Sequence, residues 1–211
     1  MCRYKVGYSS AGRILSVQAD VYADGGHSFD YSVMFMGALL RASVTMYKIP
    51  NWNLKGYLCR TNTHSNTAFR GFGRPQGSIM IENIIDHVAT ALGKDSSDIR
   101  LMHFHHEGDV TPYDFVVERT TLQRCWDECL LGSDFEARVE AIKNFNAENR
   151  TRKRGIAVVT QSFPIGFPVP YLNQGGALVM IYKDGSVSLN HGGIEMGQGL
   201  HTKMMQVLLQ F

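Results

Sequence analysis

Long apolar runs are missing from this chain. No stretch reaches the roughly 20 consecutive apolar residues that a membrane-spanning helix needs, so the sequence reads as a globular piece with no membrane partner. Cysteine is scarce as well. The 4 cysteines stand at Cys2, Cys59, Cys125 and Cys129, a dispersal that suits neither a disulfide framework nor the ligand spacing of a [2Fe-2S] cluster. Scattered thiols fit a reducing compartment, and Met1 to Gly7 lacks the apolar core of a secretory signal, so a cytoplasmic address is expected. An excess of one charge is also lacking. With 21 basic against 19 acidic side chains, nothing in the balance calls for a nucleic-acid partner. Basic residues gather at Arg150 to Arg154 (RTRKR) without interleaved aromatics; this reads as a solvated helix end, with a nuclear-import or nucleic-acid patch as the alternative. Internal repeats, low-complexity tracts and any visible flavin site are absent too.

What the chain does carry is a site-like loop. Asn62 to Gln76 reads NTHSNTAFRGFGRPQ, a polar turn-forming stretch that leads into Ala68, Phe69, Arg70, Gly71, Phe72 and Gly73 ahead of Pro75. Glycines let the backbone approach a flat ligand, and the planar guanidinium of Arg70 presents a fork of donors to an anion. Pro75 and the apolar run from Ser78 and Ile79 mark the entry of a helix, whose N-terminus favours an anion too. The plainer alternative is a tight strand-to-helix turn with Phe69 and Phe72 in a core and Arg70 on the surface. A second segment weighs against it. His191 to Lys203, HGGIEMGQGLHTK, breaks a strand at Gly192, Gly193, Gly197 and Gly199 and resumes as a helix near His201, so two glycine-rich turns favour one shared cradle.

The words TNTHSNTAFRGFGRPQG and HGGIEMGQGLHTKMMQV closely resemble the molybdopterin-binding region of the molybdenum hydroxylases, the xanthine dehydrogenase and aldehyde oxidase family. Tyr47 to Asn51 (YKIPN), Cys125 to Cys129 (CWDEC), Arg154 with Gly155, and Ala177 to Val187 (ALVMIYKDGSV) resemble the same family in the same order. The resemblance thus covers nearly the whole chain. It implies an α+β (mixed α/β) fold, a partial molybdenum-cofactor-binding domain in two lobes: residues 1–154, and the truncated start of a second at 155–211. It implies that Ala68, Phe69 and Arg70 line the cofactor and that Met196, Gly197 and Gln198 contact its pterin. Phe72 and Phe167 would sandwich a flat aromatic substrate, with Phe163 packed behind them. Aromatic stacking and a carboxamide suit those tasks. The metal itself would take no ligand from a protein side chain.

Departures from the family pattern qualify the substrate. Ala38 stands where xanthine-oxidising members carry an arginine that orients the purine, and Pro168 stands where they carry a hydroxyl residue. GGIEMGQG is similar to the aldehyde-oxidising branch, whereas FPIGFPVPYLNQ is similar to the xanthine branch. Arg74 adds a cation where the family has glycine or an apolar residue. The resemblance implies a molybdenum-dependent oxidoreductase that hydroxylates aldehydes or N-heterocycles, purines included, with oxygen from water. Its cofactors would be molybdenum-molybdopterin here, with [2Fe-2S] and FAD in the full-length protein, which is expected to be a homodimer.

Whole enzymes of the family are several times longer, and neither a GGGFGGK-like segment nor the GEPP-like segment that holds the general-base glutamate occurs in these residues. No catalytic residue is therefore assigned, and the chain alone is expected to be inactive. Glu195, beside the second turn, is a weak substitute because the family pattern gives that position to the cofactor-contacting run. Phe211 falls inside an apolar helix, which reads as a slice of a longer chain. The alternative is a truncated, non-catalytic relative that keeps the fold as an interaction module or an incomplete gene product.

Periodicity supplies the elements. Tyr4–Tyr8 and Ile14–Tyr22 read as a hairpin, with Leu15, Val17, Ala19 and Val21 on its buried face. Tyr31–Met46 reads as a well-buried helix holding Met34, Leu39, Leu40 and Val44. Leu54–Cys59 should be a strand, and Gly77–Leu92 a helix with Ile81, Ile84, Ile85 and Val88 inward. Ser96–Phe104, Thr121–Leu130 and Asp134–Asn149 read as helices, each opened by its own Ser, Thr or Asp cap. Strands follow at Ile156–Thr160, Ala177–Tyr182 and Val187–Asn190, then a helix from Gly199 to Gln210. His103, His105 and His106 beside Glu107 and Asp109 could ligate zinc or copper, although the resemblance places them in a surface loop. Cys125 and Cys129 read as core thiols flanking Trp126, with metal ligation as the alternative, and His64 and His201 could donate to an anionic cofactor.

Overall fold

The hydrophobic core forms around a helix whose apolar residues recur at helical spacing. A computed structural model describes residues 1–163, Gly166 and 170–210. The chain divides into two compact units, Met1–Phe163 and Pro164–Phe211.

In the first unit β1 (Cys2–Tyr8) pairs antiparallel with β2 (Ile14–Gly26), and β2 pairs parallel with β3 (Asn51–Arg60). A parallel pair needs a crossover. Helix α1 (Ser32–Thr45) lies in the connection between β2 and β3. Val17, Ala19 and Val21 alternate into the core as expected, but Leu15 is 45% exposed whereas Ile14 is fully buried. The cause is a register shift: Gly7 pairs with Ser16 and Tyr8 with Ile14, so Leu15 is the extra residue of a bulge and the period-2 pattern slips there. Helix α2 (Arg74–Leu92) starts earlier than the apolar run alone indicates, because Pro75 fits the first helical turn. Ile81, Ile84, Ile85 and Val88 are all essentially inaccessible. Burying each contributes about 1.5–3 kcal/mol relative to exposure.

Gly73 and Gly77 set how closely α2 approaches α1. A Cβ on Gly77 would lie 2.6 Å from the Leu39 carbonyl oxygen, and one on Gly73 only 2.7 Å from that of Phe35. On α1, Leu39 and Val44 are buried but Met34 is 51% exposed, contrary to its expected inward place, because the helix turns Met36, Leu39 and Ala42 inward. Arg100 locks the next helix, α3 (Ser96–Met102), onto α2. It is 1% exposed and donates to Glu82 at 2.6 Å, Asp86 at 2.8 Å and Ser96 at 2.6 Å. Tyr47 Oη donates to the other oxygen of Glu82 at 2.6 Å. Burial and then the Glu82 charge push the Tyr47 phenol well above its ordinary value.

Helices α4 (Leu122–Gly132) and α5 (Phe135–Glu148) complete the helical part of this unit. Trp126 meets Phe104 edge to face at 5.2 Å, whereas Cys125 and Cys129 are exposed free thiols rather than core residues, since α4 buries Trp126 alone. The expected caps also shift. Asp95, not Ser96, caps α3 by accepting from Ser97 N at 2.7 Å, while Thr121 and Asp134 make no side-chain cap bond. Ile156–Thr160 is not a strand: Val158 and Thr160 still alternate inward, but no described strand pairs with them. In the second unit β4 (Ala177–Ile181) and β5 (Val187–His191) form the expected hairpin, and α6 spans Leu200–Leu208. Asp184 closes the hairpin turn by accepting from Ser186 N at 2.9 Å.

Candidate functional site

The loop after β3 is fixed before it reaches Arg70. Asp24 Oδ1 accepts from Thr61 Oγ1 at 2.6 Å and from Gly26 N at 2.9 Å, and the Thr61 hydroxyl followed by the Gly26 amide hold its carboxyl below the usual range. Asn66 clamps the other side, donating its Nδ2 to Asp24 O at 2.8 Å and its backbone N–H to Gly25 O at 3.1 Å. Thr67 Oγ1 donates to Asp30 Oδ1 at 2.6 Å. Gly26 makes this pairing possible. Its φ is +74°, and a Cβ there would stand 2.1 Å from His64 O, so only glycine permits the two loops to lie so close.

Beyond the clamp the backbone is contorted. Gly71, Phe72 and Gly73 all have positive φ, at 94°, 44° and 83°. For Phe72 this conformation costs on the order of 1–3 kcal/mol, a cost that structures sustain at ligand clamps. The strain is held in place by Phe72 N donating to Phe69 O at 2.8 Å and Arg74 N to Gly71 O at 3.0 Å. The Phe72 ring meets Phe35 edge to face at 6.4 Å. Ala38, half-buried, lies one helical turn beyond Phe35 on α1. Ala68, Phe69 and Arg70 stand exposed, and Phe69 is 83% so. Among the described residues the Arg70 guanidinium makes no ion pair or hydrogen bond. The arrangement offers an exposed loop at Ala68 to Arg70 and, among the described residues, an unpaired fork of donors.

The second loop, in the second unit, is built around Glu195. Its Oε1 accepts from Gly197 N at 2.8 Å and Gly199 N at 3.0 Å, so it ties the start of α6. Desolvation pushes this carboxyl up, but the amides of Gly199, Gly197, His201 and Leu200 together carry it below its usual value. A carboxylate so occupied is a poor general base. Gln198 bridges Met196 N, at 2.6 Å, and Ile194 O, at 2.9 Å. Met196 itself is 62% exposed. His201 Nδ1 lies 3.2 Å from His191 Nε2. Phe167 and Pro168 lie outside the described residues, while Phe163 is 56% exposed beneath the Arg74 guanidinium.

The histidine run is not a surface loop. His103 is 1% exposed: its Nε2 accepts from Ile14 N at 2.8 Å, so Nδ1 carries the proton and donates to Ile99 O at 2.7 Å. Burial holds His103 below its usual pKa, and does the same at His105. Only His106 of the three is exposed. Among the described residues no group of three His, Cys, Asp or Glu side chains could hold a metal ion. Sequence reasoning missed the Asp24, Thr61, Asn66 and Asp30 clamp; the available signal was the Asp24-Gly25-Gly26 break facing a polar run of equal turn propensity.

A family model described as molybdopterin cofactor-binding domain matches residues 1–104, and a second of the same description matches residues 128–210. The chain belongs to the molybdenum hydroxylase family. It is the molybdopterin-binding region of that xanthine dehydrogenase and aldehyde oxidoreductase group. Xanthine dehydrogenase/oxidase of Gallus gallus is 48% identical over 97% of the chain and 15% of its own length. Xanthine dehydrogenase of Dictyostelium discoideum is 45% identical over 98% of the chain and 15% of its own length. The chain therefore spans about one-sixth of the curated relatives it matches. Aldehyde oxidoreductase from Desulfovibrio desulfuricans aligns over 90% of the chain and 20% of that structure at 26% identity, TM-score 0.67. A Cu,Mo-CO dehydrogenase aligns over 94% and 27% at 21% identity, TM-score 0.74, a likeness of fold alone. The α+β fold is that of molybdenum hydroxylase cofactor domains.

Proposed function

We propose that the chain is the cofactor-lining slice of a longer enzyme that oxidises aldehydes or N-heterocycles, purines included, by water-derived hydroxylation. The observation that carries this is the strained Gly71-Phe72-Gly73 turn, which follows the loop held by the Asp24 clamp and beside which Arg70, among the described residues, has no ion pair or side-chain hydrogen bond. An exposed loop and an unpaired guanidinium fit a group with phosphate and pterin edges. When bound, molybdopterin supplies the molybdenum centre at which the substrate is oxidised. Ala68, Phe69 and Arg70 hold the cofactor's anionic part. Met196, Gly197 and Gln198 meet its pterin, with the Gln198 bridge keeping that loop rigid. Phe72 and Phe167 sandwich a flat substrate with Phe163 behind them, and Ala38 leaves room where a bulky side chain would stand.

Residues 1–154 and 155–211 form the two lobes of this reading. The general base belongs to a segment outside this sequence, because Glu195 already serves the amides of its own loop. The full-length protein carries [2Fe-2S] and FAD, forms a homodimer and works in the cytoplasm without nucleic-acid or membrane partners. Among the described residues no helix is long and apolar enough to cross a membrane. Arg70→Met in the full-length protein tests the site: bound molybdenum should fall several-fold, with the folded state preserved by circular dichroism. Wild-type molybdenum content in that variant would remove Arg70 from the cofactor.

A further inference from the structure

Two arginines lie close along the chain to Ala38 and Phe72, the residues proposed to face the substrate. Arg41 lies one turn beyond Ala38 on α1, and Arg74 opens α2 two residues after Phe72. Gly73 brings these segments together, since a Cβ on it would lie 3.0 Å from Leu39 N and 3.1 Å from Leu39 Cβ. Arg41 sits 5.5 Å from the centre of the Tyr113 ring and Arg74 5.6 Å from that of Phe163. Both arginines are half-buried, and among the described residues neither guanidinium has an acidic partner.

Half-buried cations over aromatic faces are held by the rings but keep donors unsatisfied. Burial, and after it the charge of Arg41, press the Arg74 guanidinium below its usual value. A planar carboxylate would meet both needs, because it accepts the guanidinium fork in two parallel hydrogen bonds. A purine would not, having no such group.

We propose that Arg41 and Arg74 bind a carboxylate on the substrate, so that the enzyme selects flat aromatic aldehydes or N-heterocycles bearing an acid group. The inference rests on the substrate position proposed above, with Phe72 against the ring. It gives Arg74 a task and supplies from new positions the cation that Ala38 lacks.

The test uses the full-length, molybdenum-loaded enzyme and two probes of similar electronic demand, 4-carboxybenzaldehyde and methyl 4-formylbenzoate. The acid should be preferred over the ester by roughly tenfold or more in kcat/KM, the worth of a charge-assisted pair. That ratio should fall toward one in Arg74→Met and in Arg41→Met, recover partly in Arg74→Lys, and shrink with added salt. Calorimetric titration of terephthalate should show the same loss of binding without turnover. If the enzyme oxidises the ester as well as the acid and the variants leave the ratio unchanged, the carboxylate assignment is overturned while the hydroxylase reading stands. If the purified protein holds no molybdenum and turns over neither probe, the hydroxylase reading fails and this inference falls with it.

Discussion

Replacing Gly26 with alanine separates backbone strain from loop contact. Gly26 and Gly93 both have positive φ, 74° and 63°, but a Cβ at Gly93 meets nothing within 4 Å whereas one at Gly26 would stand 2.1 Å from His64 O and 2.7 Å from His64 C. An alanine in that backbone region costs about 1–2 kcal/mol at either site. Only at Gly26 must two stretches of backbone also part. Separation breaks the bonds from Thr61 N to Gly26 O and from Gly26 N to Asp24, each contributing about 1 kcal/mol. Gly26→Ala should therefore cost about 3–4 kcal/mol locally, and Gly93→Ala about 1–2. In the full-length enzyme, native-state hydrogen exchange at residues 61–67 should rise by roughly two to three orders of magnitude in Gly26→Ala, each factor of ten being about 1.4 kcal/mol. Bound molybdenum should drop with it. Gly93→Ala should keep both near wild type. Equal exchange and equal molybdenum in the two variants would refute the claim that the clamp positions the cofactor loop.

Arg100→Met should be among the most destabilising single changes, at about 3–5 kcal/mol, because it removes the buried cation and leaves the partly buried Glu82 carboxylate with only its Tyr47 bond; a thermal half-life near wild type would contradict this. The carboxyl of Glu195 is held below its usual value, so its loop contacts are fully present above the ordinary carboxylate range and fail as pH falls through the lowered value. Amide protection of Gly197 and Gly199 should follow that curve, and Glu195→Gln should abolish its pH dependence. His103 is held neutral by burial, so its contribution is intact above its unfolded value near 6.5 and lost as pH falls through the folded one. The Ile14 amide, bonded to its Nε2, should lose protection as pH falls below that range, and a His103→Gln variant should not show this pH dependence; an Ile14 pH profile identical in the two proteins would place the histidine elsewhere.

Much of the fold was legible because local pattern and tertiary burial agree. The spacing of Ile81, Ile84, Ile85 and Val88 defines one face, and that face is the core. The glycine-rich words marked the two loops because backbone that bends this sharply selects glycine. What failed depended on partners that sequence spacing does not display. Leu15 turns outward because β1 slips by one residue at Tyr8, and Ile156–Thr160 has strand composition without a described strand to pair with. His103 looked like a ligand until Ile14 and Ile99 consumed both its nitrogens. Cys125 and Cys129 looked apolar and buried, but α4 turns Trp126 inward, with Leu122 and Leu130 partly buried beside the core, and leaves both thiols exposed. The Asp24 clamp escaped notice because its partners lie 37 and 42 residues away.

The most direct test of the cofactor claim is the molybdenum and pterin content of the purified native protein, measured together with its intact mass. A protomer several times heavier than 23.6 kDa with one molybdenum and one pterin apiece is the result this account predicts. A protomer of that larger mass with neither would contradict it, and would leave Arg70, Phe72 and Gln198 in two loops that bind no such cofactor.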